Sequence, residues 1–451
     1  MKKFFFTMCL VLMALASCVA QKAKHVVMIS IDGLRPEFYK DPSWPAPNIQ
    51  ALARTGVYAD GVRGVFPTVT FPSHTTMITG ALPAKHGIYY NTPFEPEGQT
   101  GNWYWDESLI KVETLWDACK KKGLKTAGVQ WPVTVGAPID YNIPEVWPAK
   151  PDGSDRLGPL RKHTSPPSLF ADIEANATGK LDGTKLNSDY LLMDENLGRM
   201  TSYLIETYRP QFTAVHLVCV DHFAHADGRD SENVRKAVAG VDNAIGRIIE
   251  SVARAGIKDS TAFLIVGDHG FVDIHTTLAP NVWLERAGLI EKAPNRGNWK
   301  AAFHSSGGSA FLHLKTKGDT KTLQQVQAIL QKLPDNEKKL FRILTPDEMK
   351  KIGADPNVTL AISGIEGVTI SATADGAAVQ PGKGGTHGFY PDFKNIQTGF
   401  IGSGTGFQKG KVVPIMGLED IAPLVSALLD LSFESPDGIL FPGLLTPKDS
   451  K

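Results

Sequence analysis

The run TAFLIVG at residues 261–267, followed at once by Asp268, His269 and Gly270, decides the fold. It is too short for a typical helix, rich in branched side chains and apolar without alternation, as a strand buried on both faces of a parallel sheet requires. Two further segments repeat the device. HVVMISI at 25–31 stops at Asp32 and Gly33, and TAVHLVCV at 213–220 stops at Asp221. The connections have helical periodicity: 189–208 is closed by Pro210, and the amphipathic 232–255 stops before Gly256. Each feeds the next strand, as right-handed crossovers do. The pattern predicts an α/β fold with a doubly wound, mostly parallel central sheet and helices on both faces. Polar chemistry in such sheets gathers beyond the carboxyl ends of the strands, so three aspartates point to one rim.

A single aspartate after a strand is commonly a turn residue or a helix N-cap. Three in register are different, because crowded carboxylates repel one another unless protons or cations neutralise them. Asp221 is followed four residues on by His225, and Asp268 directly by His269. Mixed aspartate and histidine ligands suit zinc, at roughly 2.0 to 2.2 Å. In FPTVTFPSHTTMITG at 66–80, Thr70 stands just ahead of Phe71 and Pro72, where proline marks a helix start. A helix N-terminus presents free N–H groups and partial positive charge, a seat for phosphate, so a hydroxyl and an anion site coincide there; a simple capping role for Thr70 is the alternative. In GGTHG at 384–388, glycines would let His387 approach a metal without steric cost.

Composition sets the outer bounds. With 451 residues, 42% hydrophobic and 21% charged, the chain can bury a large core, which excludes disorder and collagen-like repetition. Its 47 basic residues cancel its 47 acidic ones, so no large net field holds nucleic acid or an anionic membrane, and an anionic ligand must be held locally. Lys2 and Lys3 precede an apolar stretch at 4–15 broken only by Thr7, then Ala16 and Ser17. This reads as a secretory signal over 1–20, too short for the roughly 20 apolar residues of a membrane span. Leu15, Ala16, Ser17 and Cys18 resemble a lipobox, in which Cys18 would be acylated as a lipid anchor; cleavage after Ala20 is the alternative. Either route predicts export, and no later segment is long enough to cross a bilayer.

Cys9 and Cys18 belong to the signal, leaving Cys119 and Cys219 as two buried free thiols rather than a disulfide framework. Residues 21–451 are expected to form a single catalytic domain. A small α+β lobe is inserted at about 280–383, with strand-like 307–314 and helix-like 322–333. A last helix over 418–431 covers the sheet, and 442–451 forms a loosely held tail.

The ordered series Asp32-Gly33, PTVTFPSH at 67–74, HGIYYN at 86–91, Asp221 with His225, Asp268-His269-Gly270 and His387-Gly388 resembles the nucleotide pyrophosphatase/phosphodiesterase family of the alkaline phosphatase superfamily. The likeness runs over about 25–410, with smaller matches at Gln130-Trp131-Pro132 and at 398–401. It implies an alkaline-phosphatase-like fold and two zinc ions, one among Asp32, Thr70, Asp268 and His269, the other among Asp221, His225 and His387. It further implies that Thr70 is the nucleophile and that a covalent phosphothreonine forms. The Asn91 amide and the Phe71 N–H would stabilise a phosphoryl oxygen, Phe71 would pack on a nucleobase, and a phosphate monoester would be released. The expected substrate is a small phosphodiester or pyrophosphate, such as a nucleotide or nucleotide sugar, met in the bacterial periplasm or at the cell envelope.

Several residues depart from that pattern or stand outside it. His216 lies five residues before Asp221, where many nucleotide-cleaving relatives carry tyrosine, which weakens the expectation of base stacking. His74, His86 and His222 read as braces or neighbours rather than ligands; Trp103, Trp105 and Trp116 read as core, with a place for the Trp103 loop at the border of the leaving-group site as the alternative. No cysteine begins the Cys-x-Pro-x-Arg pattern of sulfatases. A phosphomonoesterase of the same superfamily is the alternative activity. It would need a further cation for the third phosphate oxygen, and Arg156, Arg161 and Lys162 are the candidates. A binding protein that kept the fold without turnover would have lost a ligand, and none is missing.

Overall fold

The computed structural model describes residues 22–150, 155–292 and 297–447. The expected signal at 1–20, with Cys18, lies outside the described residues. The strands His25–Ile31 and Thr261–Gly267 have the bounds read from the sequence, because each buried run ends where an aspartate must leave the sheet. They lie side by side near the centre of an eight-stranded sheet. Its order is 411–413, 57–59, 400–404, 261–267, 25–31, 212–217, 126–129 and 141–143. Only Phe400–Gly404 runs against the others.

Alternate residues of each central strand feed two separate cores, which is why the runs are apolar throughout. Val27, Ile29 and Ile31 pack with Leu197, Leu204, Val241 and Ile245 of the helices Tyr190–Tyr208 and Glu232–Arg254. Val26 and Met28 pack on the other face with Met77, Trp116 and Leu424, from the helices Thr70–Thr79, Leu115–Lys121 and Ile421–Leu429. The doubly wound α/β expectation therefore holds. Asp189 and Ser231 cap the two long helices, accepting from the N–H groups of Leu192 and Val234.

The third strand differs from the sequence reading. It spans Phe212–Leu217, and Cys219–Asp227 is a helix, so Asp221 sits in a first helical turn and not at a strand end. The cause is a distant cap. Asp194, buried on the 190–208 helix, accepts the Val218 N–H at 2.9 Å and the Cys219 N–H at 3.0 Å, satisfying donors that a new helix leaves free. Cys119 and Cys219 are both buried free thiols.

In the region expected as an inserted lobe, the strands 301–306, 309–314, 361–364 and 341–344 form an antiparallel sheet in that order, covered in part by Thr320–Lys332. Thr276–Leu278, just before the expected boundary, pairs with both Val368–Ile370 and Val379–Pro381. The tail expectation needs correction as far as residue 447. Leu444 is fully buried, Gln408 N–H donates to its carbonyl, and Thr446 N–H donates to Gly406. Among the described residues, no helix is long and apolar enough to cross a membrane.

Candidate metal and phosphoryl site

Parallel register brings the first two aspartates together. Ile31 pairs with Gly267, so Asp32 and Asp268 leave adjacent strands at the same level, and Gly33 N–H donates to Asp268 Oδ1 at 3.1 Å. His269 Nε2 lies 3.3 Å from Asp32 Oδ1 and 3.2 Å from Asp268 Oδ2. A second trio abuts the first. His225 Nε2 is 3.1 Å from His387 Nε2, and Asp221 Oδ1 is 3.4 and 3.5 Å from those two nitrogens. The His269 and His387 rings stack at 3.5 Å, and Asp221, His269 and His387 also converge closely, so the two trios form one continuous cluster.

The ligating faces are held from behind. His225 Nδ1 meets the Gly385 carbonyl at 3.0 Å, and His387 Nδ1 meets the Thr68 carbonyl at 2.9 Å, which leaves both Nε2 atoms facing inward. Gly388 takes a φ of 87°, and a Cβ there would fall 2.0 Å from the Ser306 carbonyl, so the turn after His387 tolerates only glycine.

Four buried atoms of the cluster have no hydrogen-bond partner: Asp32 Oδ1, Asp221 Oδ1, Asp268 Oδ2 and His269 Nε2. Orphaned buried polar atoms cost free energy, and here they converge. Burial pushes Asp32 well above the usual carboxylate range, reinforced by the charges of Asp221 and Asp268, while His216 opposes the shift. Burial likewise raises Asp221 to about 6, against the pull of His225. Burial and neighbouring imidazoles push His269 and His387 well below the usual value, leaving them neutral. Repelling carboxylates and neutral imidazoles with inward lone pairs are the donor set of a divalent cation site, so these residues fit bound metal.

Thr70 is the first residue of the helix Thr70–Thr79; Val69 occupies the cap position and no side chain caps it. Thr70 lines a cavity of about 440 Å³ together with Asp32, Asp221, His225 and His387. Asn91 lines it too, and its Oδ1 accepts the Phe71 N–H at 2.9 Å. The Phe71 donor, expected to be free for a phosphoryl oxygen, is engaged; the bond instead orients Asn91 with its NH₂ group away from Phe71. His74 is a brace. Its ring nitrogens reach the Thr70 carbonyl and Ser30 Oγ, each at 2.8 Å, and burial lowers it to about 3. His86 is fully buried, 3.1 Å from Thr76 Oγ1.

The cavity wall holds Trp103, already named at its border, and residues that sequence reasoning passed over, Glu145, Trp147, Tyr190 and Met193. Trp103 packs on Trp147 at 4.9 Å, forming an aromatic side, and on Phe71 at 5.1 Å; the Phe71 side chain is fully buried, so the expectation that it packs on a nucleobase does not hold. Tyr190 stacks on His222 at 3.7 Å, and Gln130, Glu145 and Met193 complete other parts. Gln130 has a positive φ of 53°, a strained loop conformation where the backbone reaches the cavity. Of the three basic candidates, Arg156 lines the cavity, its Nη1 3.3 Å from Ser188 Oγ, whereas Arg161 is paired with Asp155.

His216 does not face the cavity as a stacking ring. It is wholly buried, with Nε2 3.2 Å from Asp32 Oδ2 and Nδ1 3.0 Å from Glu145 Oε2. Burial alone would lower it, but the two carboxylates, Glu145 foremost, raise it well above the usual imidazole range.

A sequence model of the family described as type I phosphodiesterase / nucleotide pyrophosphatase matches residues 26–389. Ectonucleotide pyrophosphatase/phosphodiesterase family member 3 of Mus musculus is 23% identical over 417 residues, which are 87% of this chain and 41% of that protein. The bis(5'-adenosyl)-triphosphatase enpp4 of Mus musculus is 26% identical over 253 residues, 55% of this chain and 47% of that protein. The chain thus spans less than half the length of these relatives. The structure of human ectonucleotide pyrophosphatase / phosphodiesterase 5 superposes with a TM-score of 0.65 at 16% identity, covering 92% of this chain and 97% of that one, which shows a shared fold.

Proposed function

The chain belongs to the type I phosphodiesterase / nucleotide pyrophosphatase family, and from that premise we propose that it hydrolyses phosphodiester or pyrophosphate bonds in nucleotides, nucleotide sugars or related small diesters. The observation that carries this reading is the pair of contiguous aspartate and histidine trios, with four orphaned buried atoms, sharing a cavity with a hydroxyl at a helix N-terminus. Asp32, Asp268 and His269, with Thr70, would hold one zinc ion, and Asp221, His225 and His387 the other. When bound, such ions supply concentrated positive charge that lowers the pKa of a coordinated hydroxyl and stabilises oxygens that gain charge in the reaction.

Thr70 Oγ gives up its proton to solvent and attacks phosphorus, the P–O bond to the leaving group breaks with the departing oxygen taking up a proton, and a covalent phosphothreonine diester remains. Water then adds to phosphorus, the bond to Thr70 Oγ breaks, and a phosphate monoester departs with the hydroxyl restored. The Asn91 NH₂, aimed by the Phe71 N–H, donates to a nonbridging oxygen as negative charge develops there. Trp103 and Trp147 offer an apolar wall to a nucleobase or other flat group, with the buried Phe71 ring packed behind Trp103. The amino-terminal signal pattern supports export, to a periplasm or to the envelope through a lipid on Cys18.

Arg156 in the cavity wall favours a second reading, a phosphomonoesterase, since its guanidinium can receive a third phosphate oxygen. Hydrolysis of bis-p-nitrophenyl phosphate beside p-nitrophenyl phosphate, each with and without chelator, separates the two. Chelator-sensitive preference for the diester is expected. Dominance of the monoester would install the second reading, and turnover indifferent to chelator would remove both.

A further inference from the structure

Each aspartate of the first trio presents one oxygen to the orphaned cluster and has the other tied back, but the ties differ. Asp268 Oδ1 accepts the main-chain N–H groups of Gly33 and His269, at 3.1 and 3.0 Å, so backbone fixes it. Asp32 Oδ2 is held instead by a side chain, His216 Nε2 at 3.2 Å, while Oδ1 stays unpartnered 3.3 Å from His269 Nε2. His216 stands on Phe212–Leu217 in register with Ser30, two residues before Asp32, so the sheet brings the ring alongside. Its far nitrogen reaches Glu145 Oε2 at 3.0 Å, just beyond the strand Tyr141–Ile143. Asp32, Glu145 and His216 are all buried, at 5%, 6% and 0% exposure.

We propose that Glu145 and His216 are positioning residues for the metal cluster: Glu145 anchors His216 at Nδ1, and His216 in turn holds Asp32 Oδ2, reserving Asp32 Oδ1 for the cation shared with Asp268 and His269. The inference rests on the metal reading of that trio given above. A carboxylate without such a tie rotates about its last side-chain bond and exchanges one oxygen for the other. Losing the partner behind a ligand typically lowers metal affinity about 10- to 100-fold. The two residues tie back Asp32 and none of Asp221, His225 and His387, so the effect must fall on one ion of the two.

The test is a competition titration of the purified full-length protein with zinc against a chromophoric chelator, for the wild type, Glu145→Ala and Glu145→Gln. The wild type is expected to bind two ions. Glu145→Ala should weaken one of them about 10- to 100-fold and leave the other unchanged, and the unchanged site doubles as the control for folding. Glu145→Gln keeps a side-chain oxygen for the His216 Nδ1–H and should recover most of the loss. With cobalt in place of zinc, the visible spectrum of one ion should change in Glu145→Ala and revert in Glu145→Gln. Two ions bound with unaltered affinity in Glu145→Ala would overturn this inference alone. So would equal weakening of both ions that persists in Glu145→Gln. A wild type that binds no ion at the trios would overturn the metal reading and this inference with it.

Discussion

Replacing Asp194 with asparagine should make the stability of this protein depend on pH in a different way. Asp194 is fully buried and spans the N–H groups of Val218 and Cys219, so it joins the long 190–208 helix to the helix that carries Asp221 and His225. Burial raises its carboxyl from 3.8 to about 7, although both N–H bonds favour the ionised form. The folded state therefore keeps its proton to higher pH than the unfolded chain does. The stability this gives is fully present below about pH 4 and is lost as pH rises through 7. A displacement of about three pH units corresponds to about 4 kcal/mol. Asparagine cannot titrate. Its oxygen accepts one of the two N–H groups and its NH₂ opposes the other, a mismatch that costs about 1 to 3 kcal/mol at every pH. Urea unfolding of both proteins in chelator at pH 4.5, 6 and 8 gives the comparison, since all other groups titrate alike in the pair. The difference in unfolding free energy should move toward the variant by about 3 kcal/mol from pH 4.5 to 8. A difference that stays constant within about 1 kcal/mol, or moves the other way, would mean that the two N–H donors keep the carboxylate ionised and would refute the reasoning.

Thr70→Ala should lower diester turnover by on the order of a thousandfold or more, weaken the ion it shares with Asp32, Asp268 and His269 and leave the other unchanged, which rapid-quench assays beside metal titration can check. Asn91→Ala removes the oriented NH₂ and leaves the Phe71 N–H without its partner; kcat should fall about 10²- to 10³-fold with little change in KM. Burial pushes the Cys119 thiol up to about 12 and raises Cys219 as well, so neither should react with a thiol reagent in the native protein and both should react after denaturation. Gly388→Ala would drive a methyl group into the Ser306 carbonyl and displace His387, and should show as poor expression or a lower melting temperature.

How much of this was legible in the sequence follows from the range of the interactions. His25–Ile31 and Thr261–Gly267 could be bounded to the residue because burial on both faces and an abrupt aspartate are local signals. The third strand was read past its end, since Val218, Cys219 and Val220 continue the apolar run. What turns them into a helix is Asp194, more than twenty residues upstream. The same distance hid the partners of His216, because Glu145 is 71 residues away and no periodicity links them. Trp147 and Tyr190 went unassigned as cavity residues because an aromatic side chain in a loop or on a half-buried helix face looks the same whether it meets a ligand or the core. The tail was misread because Leu444 is buried and main-chain bonds tie Leu444 to Gln408 and Thr446 to Gly406, for which composition gives no sign. The seven aspartate, histidine and threonine positions stood out because their order along the chain, not any single spacing, carried the resemblance.

The most direct measurement is the anomalous scattering of crystals of the zinc-loaded protein, collected on both sides of the zinc edge. Two neighbouring peaks are expected, one bounded by Asp32, Asp268 and His269 and the other by Asp221, His225 and His387. Peaks elsewhere, or none within reach of these side chains, would contradict the account.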